Sequence, residues 1–177
     1  METIDALLQR VPVFAGMTEE QLELVAGCAS NVRFREGETL FREGDPADTF
    51  YIVRHGSVAL ETFVPPRGTV TIETIEAGDV IGWSWLFPPY RWHFDARALS
   101  LVRATAFDGA CLRGKCDVDP ALGYDLMRRF ANVMIERLRW TRLRLLDVYG
   151  YRDRAEPAPG PMAPEAVAGL PVDSPGA

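Results

Sequence analysis

The sequence predicts a mainly β fold with added helices: an antiparallel β-roll, a jelly-roll-like double-stranded β-helix, flanked by N-terminal helices and a long C-terminal helix. Three observations predict it. Between Asn31 and Phe107, short apolar or alternating runs are punctuated by Gly37, Gly44, Gly56, Gly68 and Gly78, the interval expected of antiparallel strands that turn back on one another. Ahead of that stretch, Thr18-Glu19-Glu20-Gln21 has the form of a capping box, in which hydroxyl and amide satisfy each other's backbone donors at a helix start. Behind it, Asp119-Pro120 opens a segment that reaches Tyr149 without another proline, and proline at the first helical position is already set for a helix.

Taken in order, the elements begin with a short helix near 3–9. A second follows over about 18–28, where Leu22, Val25 and Ala26 fall at helical spacing. About eight strands come next, among them Thr39-Leu40-Phe41, Phe50-Tyr51-Ile52-Val53, Ser57-Val58-Ala59-Leu60 and Val70-Thr71-Ile72. The long helix should extend roughly 45 Å at 1.5 Å per residue. Gly150 is its expected stop, and Arg142 and Arg144 suit the negative pole of its dipole. The resulting division is 1–30 for the N-terminal helices, 31–117 for the roll, 118–150 for the long helix and 151–177 for a tail. That tail is rich in proline, alanine and glycine and buries too little to order itself.

With 177 residues and 47% hydrophobic composition, one core can form without metal or disulfide. A net charge of −6 argues against a surface made throughout for phosphate backbones, while leaving room for a local basic strip. The first residues lack a basic-then-apolar pattern, and no apolar run approaches a bilayer span; a cytoplasmic protein without a membrane role is expected. Cys28, Cys111 and Cys116 fit a reducing compartment. Cys28 reads as buried packing. Cys111 and Cys116, at the junction of roll and long helix beside Arg113 and Lys115, are either incidental or a redox-sensitive pair, because neighbouring cations lower a thiol pKa. Two cysteines five apart without further ligands do not make a metal site. His55 reads as a turn residue, and no nucleophile stands in a spaced arrangement with a base. The sequence therefore reads as a non-enzyme.

The most informative stretch is Gly37-Glu-Thr-Leu-Phe-Arg-Glu-Gly44-Asp45-Pro-Ala-Asp48-Thr-Phe50-Tyr51-Ile52-Val53-Arg-His-Gly56-Ser-Val58. In order and spacing it resembles the cyclic nucleotide-binding domain family, which includes catabolite activator proteins, protein kinase A regulatory subunits and gated channels. The shared frame is G-x-x-L-x-x-x-G-D, then Y-x-I-x-x-G-x-V, then a second Gly-Asp, here Gly78-Asp79-Val80-Ile81-Gly82. The resemblance spans about residues 8–150. It implies a regulatory or sensory module with a phosphate-binding cassette, here 81–98, opened by Phe/Ile-Gly-Glu and closed by Arg-Ser/Thr-Ala. In that family the glutamate takes the ribose hydroxyl, and the arginine holds the cyclic phosphate together with backbone N–H groups.

This sequence departs from that pattern. Gly82 and Leu86 match, but Trp83 stands at the glutamate position and Trp92 or His93 at the arginine position, with Arg91 one or two residues early. Two readings follow. In one, the pocket survives with altered chemistry, and Gly82, Trp83, Ser84, Trp85, Arg91, Trp92 and His93 bind a cyclic nucleotide or another small anionic ligand. In the other, the aromatic segment fills the space and leaves a ligand-free interaction scaffold. In both, Leu122, Leu126, Phe130, Val133, Met134, Leu138, Leu145 and Val148 extend beyond what one roll covers. That excess predicts a homodimer through 120–149 and a downstream protein partner, with Arg128, Arg129, Arg137, Arg139, Arg142 and Arg144 as a solvated face or, alternatively, a contact for nucleic acid or an acidic partner. Catabolite-activator-type regulators carry a helix-turn-helix domain after this helix. Nothing in 151–177 could fold as one, so no direct DNA-reading domain is expected.

Overall fold

In the computed structural model, which describes residues 4–148, the chain begins with α1 (Ile4–Leu8), a 3₁₀ turn over Pro12–Phe14, and α2 (Glu19–Ala26). The capping box at the head of α2 is complete. Thr18 Oγ1 accepts from the Gln21 N–H at 3.2 Å, and Gln21 Oε1 accepts from the Thr18 N–H at 3.1 Å.

Eight strands follow: β1 (Ala29–Phe34), β2 (Thr39–Phe41), β3 (Thr49–His55), β4 (Val58–Val64), β5 (Gly68–Ile75), β6 (Val80–Ile81), β7 (Asp95–Ala98) and β8 (Val102–Asp108). They form two four-stranded antiparallel sheets, ordered β1-β8-β3-β6 and β2-β7-β4-β5. Period-two alternation on β8 divides the molecule's interior. Val102 and Ala104 face the inside of the roll with Val53, Val58 and Ile81, whereas Phe107 faces outward, toward the helices, with Phe14, Phe50 and Phe130. One core thus fills the roll and a second joins the β1-β8-β3-β6 sheet to the helices. The β3–β4 turn depends on Gly56, which has φ +83°, and an added Cβ there would collide with the Leu101 carbonyl.

Two elements differ from the sequence expectation. Strand β1 starts at Ala29, ahead of Asn31. Residues 109–118, read from sequence as a junction, form a helix, α3 (Gly109–Val118). It starts where Asp108 Oδ1 accepts from the Cys111 N–H at 2.8 Å. Asp119 then accepts from the N–H groups of Ala121 and Leu122 at 3.0 and 3.1 Å and starts α4 (Pro120–Val148). Leu122, Leu126 and Phe130 of α4 are buried, while Tyr124, Met127 and Ile135 are exposed. In the unit that begins at Leu138, the side chains of Leu138, Trp140, Leu143, Leu145 and Leu146 are all exposed. The expected stop at Gly150 and the tail 151–177 lie outside the described residues, as does the Val148 side chain.

The cysteine expectation needs correction. Cys28, between α2 and β1, is bonded to Cys111 in the first turn of α3, with Cα atoms 5.9 Å apart, and Cys116 is the free thiol. A Cys111–Cys116 pair is excluded by helix geometry, since five residues along α3 place the two side chains about 140° apart around its axis. Nor do the neighbouring cations activate Cys116. Lys115 Nζ donates to the Leu24 carbonyl and Arg113 to the Trp85 carbonyl. Burial, followed by the charges of Asp117 and Asp119, pushes the Cys116 thiol pKa up. No helix among the described residues is long and apolar enough to cross a membrane.

Candidate functional site

The segment after β6 carries the residues singled out from sequence, and the fold sends them in three directions. Gly82 follows β6 with φ +85°, and an added Cβ would overlap the Trp92 ring. Glycine is therefore required by its backbone and by a close neighbour at once. Trp83 heads a 3₁₀ turn over Ser84–Leu86. Its ring does not enter the roll. It lies 5.1 Å below the Arg137 guanidinium, which also donates to the Val80 carbonyl and sits 3.7 Å from Glu73. Burial lowers the Arg137 pKa, against the opposing pull of Glu73 and Asp79.

Trp85 is fully buried in the core beneath the helices, stacked on Phe50 at 5.1 Å and edge-on to Phe130 at 5.5 Å. Its carbonyl accepts from Arg113 at 2.7 Å, and Arg113 in turn covers the Tyr90 ring at 4.3 Å. Ser84 is buried, with Oγ 3.3 Å from Nδ1 of the exposed His93.

The second half of the cassette runs against the loop before β3. The Gly44 N–H donates to the Trp92 carbonyl, the Trp92 N–H to the Asp45 carbonyl and the Ala47 N–H to the Tyr90 carbonyl, at 2.9, 3.0 and 2.7 Å. Pairing through Pro46 and Arg91 leaves Arg91 exposed, and its guanidinium donates to the Gly44 carbonyl at 2.6 Å. The next side chain turns inward. Trp92 is 6% exposed and stacks on Phe41, with centroids 3.7 Å apart and planes 10° from parallel. It belongs to the core of the roll.

Beside this stack remains a cavity of about 310 Å³. Asp45, Asp48, Thr49 and Tyr51 line it together with Phe41 and Trp92, and no cationic side chain does. Its charged lining is thus acidic, with Asp48 partly offset by the Arg113 guanidinium 3.5 Å away. Burial raises the Tyr51 pKa, which keeps that phenol neutral.

The sequence reading missed one charged pair in this region. Glu61 on β4, 5% exposed, accepts from Arg97 on β7 at 2.9 and 2.5 Å and lies 3.5 Å from Thr71 Oγ1. The hydrogen bond and charge of Glu61 raise the Arg97 pKa. A glutamate directly after the apolar run Val58-Ala59-Leu60, on the same strand, is the available signal. Among the described residues, no group of three metal-ligating side chains comes together.

A protein-family model described as the cyclic nucleotide-binding domain matches residues 31–119. The CRP-like cAMP-activated global transcriptional regulator of Mycobacterium tuberculosis is 28% identical over 145 residues; these are 82% of this chain and 63% of that protein. The chain thus spans less than two thirds of that curated relative. Among solved structures, a putative cyclic nucleotide-binding protein from Geobacter metallireducens is 31% identical, with TM-score 0.69, over 78% of this chain and 99% of its own. The N-terminal domain of a Streptomyces coelicolor transcriptional regulator is also 31% identical, with TM-score 0.61, over 84% and 99%. A cyclic nucleotide-binding domain from Methylobacillus flagellatus, 20% identical with TM-score 0.70 over 82% of each chain, shares the fold.

Proposed function

Because this chain belongs to the cyclic nucleotide-binding domain family, we propose that it is a regulatory module whose roll is occupied by its own Trp92, and that a homodimer formed through α4 presents it to a partner protein. The observation that carries this reading is the stack of Trp92 on Phe41 inside the roll. The family resemblance places a phosphate-binding arginine at Trp92 or His93, so a cyclic nucleotide seated inside the roll would have to expel a buried tryptophan and would find no arginine at either position. The cavity beside the stack, with Asp45 and Asp48 in its wall and no cationic side chain, offers a cyclic phosphate no counter-charge from its own lining. Trp83, packed under Arg137, has no acceptor to offer a ribose hydroxyl. The exposed Tyr124, Met127, Ile135 and Leu138 side chains of α4 supply apolar surface that a second copy of the helix buries.

Calorimetry and thermal denaturation with cyclic AMP and cyclic GMP test the first half. Neither nucleotide is expected to raise Tm at millimolar concentration, whereas a saturable rise of several degrees overturns a self-filled roll. Sedimentation equilibrium tests the second. The parent is expected to be a dimer, and Ile135→Glu with Leu138→Glu a monomer; a parent that is monomeric at every concentration removes the α4 interface. A second reading, an atypical ligand seated in the roll, draws on the cavity itself, which falls at the small end of the range for ligand sites. Its acidic and aromatic wall selects a neutral or cationic compound. That reading predicts Tm shifts with such compounds that Asp45→Asn abolishes.

A further inference from the structure

The chain carries 25 acidic and 19 basic side chains, yet one cleft is lined by four arginines and no carboxylate. It measures about 700 Å³ and lies between the segment joining α1 to the 3₁₀ turn and the outer side of the β1-β8-β3-β6 sheet. Arg10, Arg33, Arg54, Arg103 and His55 line it, and no acidic residue is among its lining. The strand register makes this arrangement costly. Arg33 on β1 pairs directly with Arg103 on β8, and Arg103 with His55 on β3. Because Val32, Val102 and Ala104 point into the roll, Arg33 and Arg103 stand side by side on the outer face. Like charges directly opposite on neighbouring strands are destabilising. None of Arg33, Arg54 and Arg103 forms an ion pair with a carboxylate among the described residues. Arg54 is held in place by donating to Asn31 Oδ1 at 2.8 Å, so part of this cationic wall is preorganised. The opposite wall brings apolar surface from Leu7, Val11 and Pro12 beside Arg10.

We propose that this cleft is a binding site for a small phosphorylated molecule with at least two adjacent anionic groups and an apolar body, a class that includes linear nucleoside diphosphates. Guanidinium forks from neighbouring strands match phosphoryl oxygens in pairs, and a bound dianion relieves the Arg33–Arg103 repulsion. The volume lies within the range of small-molecule sites, and the apolar wall accommodates the ligand's non-phosphate part. This site is separate from the interior of the roll. A filled roll therefore does not exclude a small-molecule input, which would enter on the sheet's outer face.

Isothermal titration of the full chain with inorganic pyrophosphate at low salt tests the assignment, since this probe has no nucleoside to engage the roll. One pyrophosphate per chain is expected, with binding weakened at least ten-fold by Arg33→Gln and by Arg103→Gln, and unchanged by Arg91→Gln on the cassette loop. Without anion, each of the two glutamine variants should melt no lower than the parent, because each removes one of two opposed charges; this separates loss of the site from loss of the fold. Absence of binding, or binding indifferent to both substitutions, overturns the proposal. So does binding of an oligoglutamate peptide with no response to pyrophosphate, which would make the cleft a docking surface for acidic protein segments.

Discussion

Trp92 and Gly82 form one unit, since the ring of the first occupies the volume that a side chain on the second would need. Trp92→Ala should cost about 3–5 kcal/mol in urea unfolding, the range for truncating a large buried aromatic. Gly82→Ala should also destabilise strongly on its own, through its positive φ and the overlap with the ring. The double variant should cost clearly less than the two single effects added, because removing the ring removes the overlap; strict additivity would show that the two do not share this space. At the Glu61–Arg97 pair the two partners differ in exposure, with side chains 7% and 41% accessible. Arg97→Gln should therefore destabilise more than Glu61→Gln. It strands a buried carboxylate, whereas loss of the glutamate charge leaves a guanidinium that water can reach. The opposite order in thermal denaturation would contradict this account. None of these pairings was legible in sequence. By spacing, either Trp92 or His93 could face the roll, and which of them turns inward is set by backbone pairing of 90–92 with 44–47, a tertiary contact that local pattern does not encode.

Helix α3 shows where element-level reading fails. Gly109 and Gly114 dilute its helical signal, and its apolar residues are few, so only the Asp108 cap announces it. Asp108→Ala should therefore cost about 1 kcal/mol, measured as a lower Tm. Packing explains the glycine at its first position, because a Cβ on Gly109 would lie 2.9 Å from Trp85 Cβ. Cys116 on the same helix has its thiol pKa raised by burial and by Asp117 and Asp119. Alkylation by iodoacetamide at pH 8 should be slower than for an unstructured cysteine peptide, and unfolding should restore the rate; equal rates would show the thiol unperturbed. The sign for stability follows from the same shift. This thiol's contribution is whole below its ordinary pKa of 9.0 and falls as pH rises above it, because the folded state holds the proton more tightly. By contrast, the capping box of α2, the Asp119-Pro120 start of α4 and the glycine-punctuated strands were readable directly. Each is a local device whose partners lie within four residues or recur with period two.

At the scale of the whole molecule, what sequence could not supply is convergence. The four arginines and His55 that line the outer cleft come from positions 10 to 103, and the two bonded cysteines are 83 residues apart. Closing a loop of that size restricts the unfolded chain by about 4–5 kcal/mol on a chain-entropy estimate, an upper figure for the stability lost on reduction. A Tm unchanged by dithiothreitol, or by Cys28→Ser with Cys111→Ser, would remove the bond from the stability of the fold. The bond also changes the chain's connectivity. With residues 28 and 111 joined, every strand lies within a covalent ring, which the chain enters from α1 and α2 at Cys28 and leaves through α3 at Cys111. A protease that cuts once at Arg67, in the hairpin between β4 and β5, opens this ring without releasing a fragment. The nicked protein should migrate as one band on a denaturing gel without reductant and as two with it.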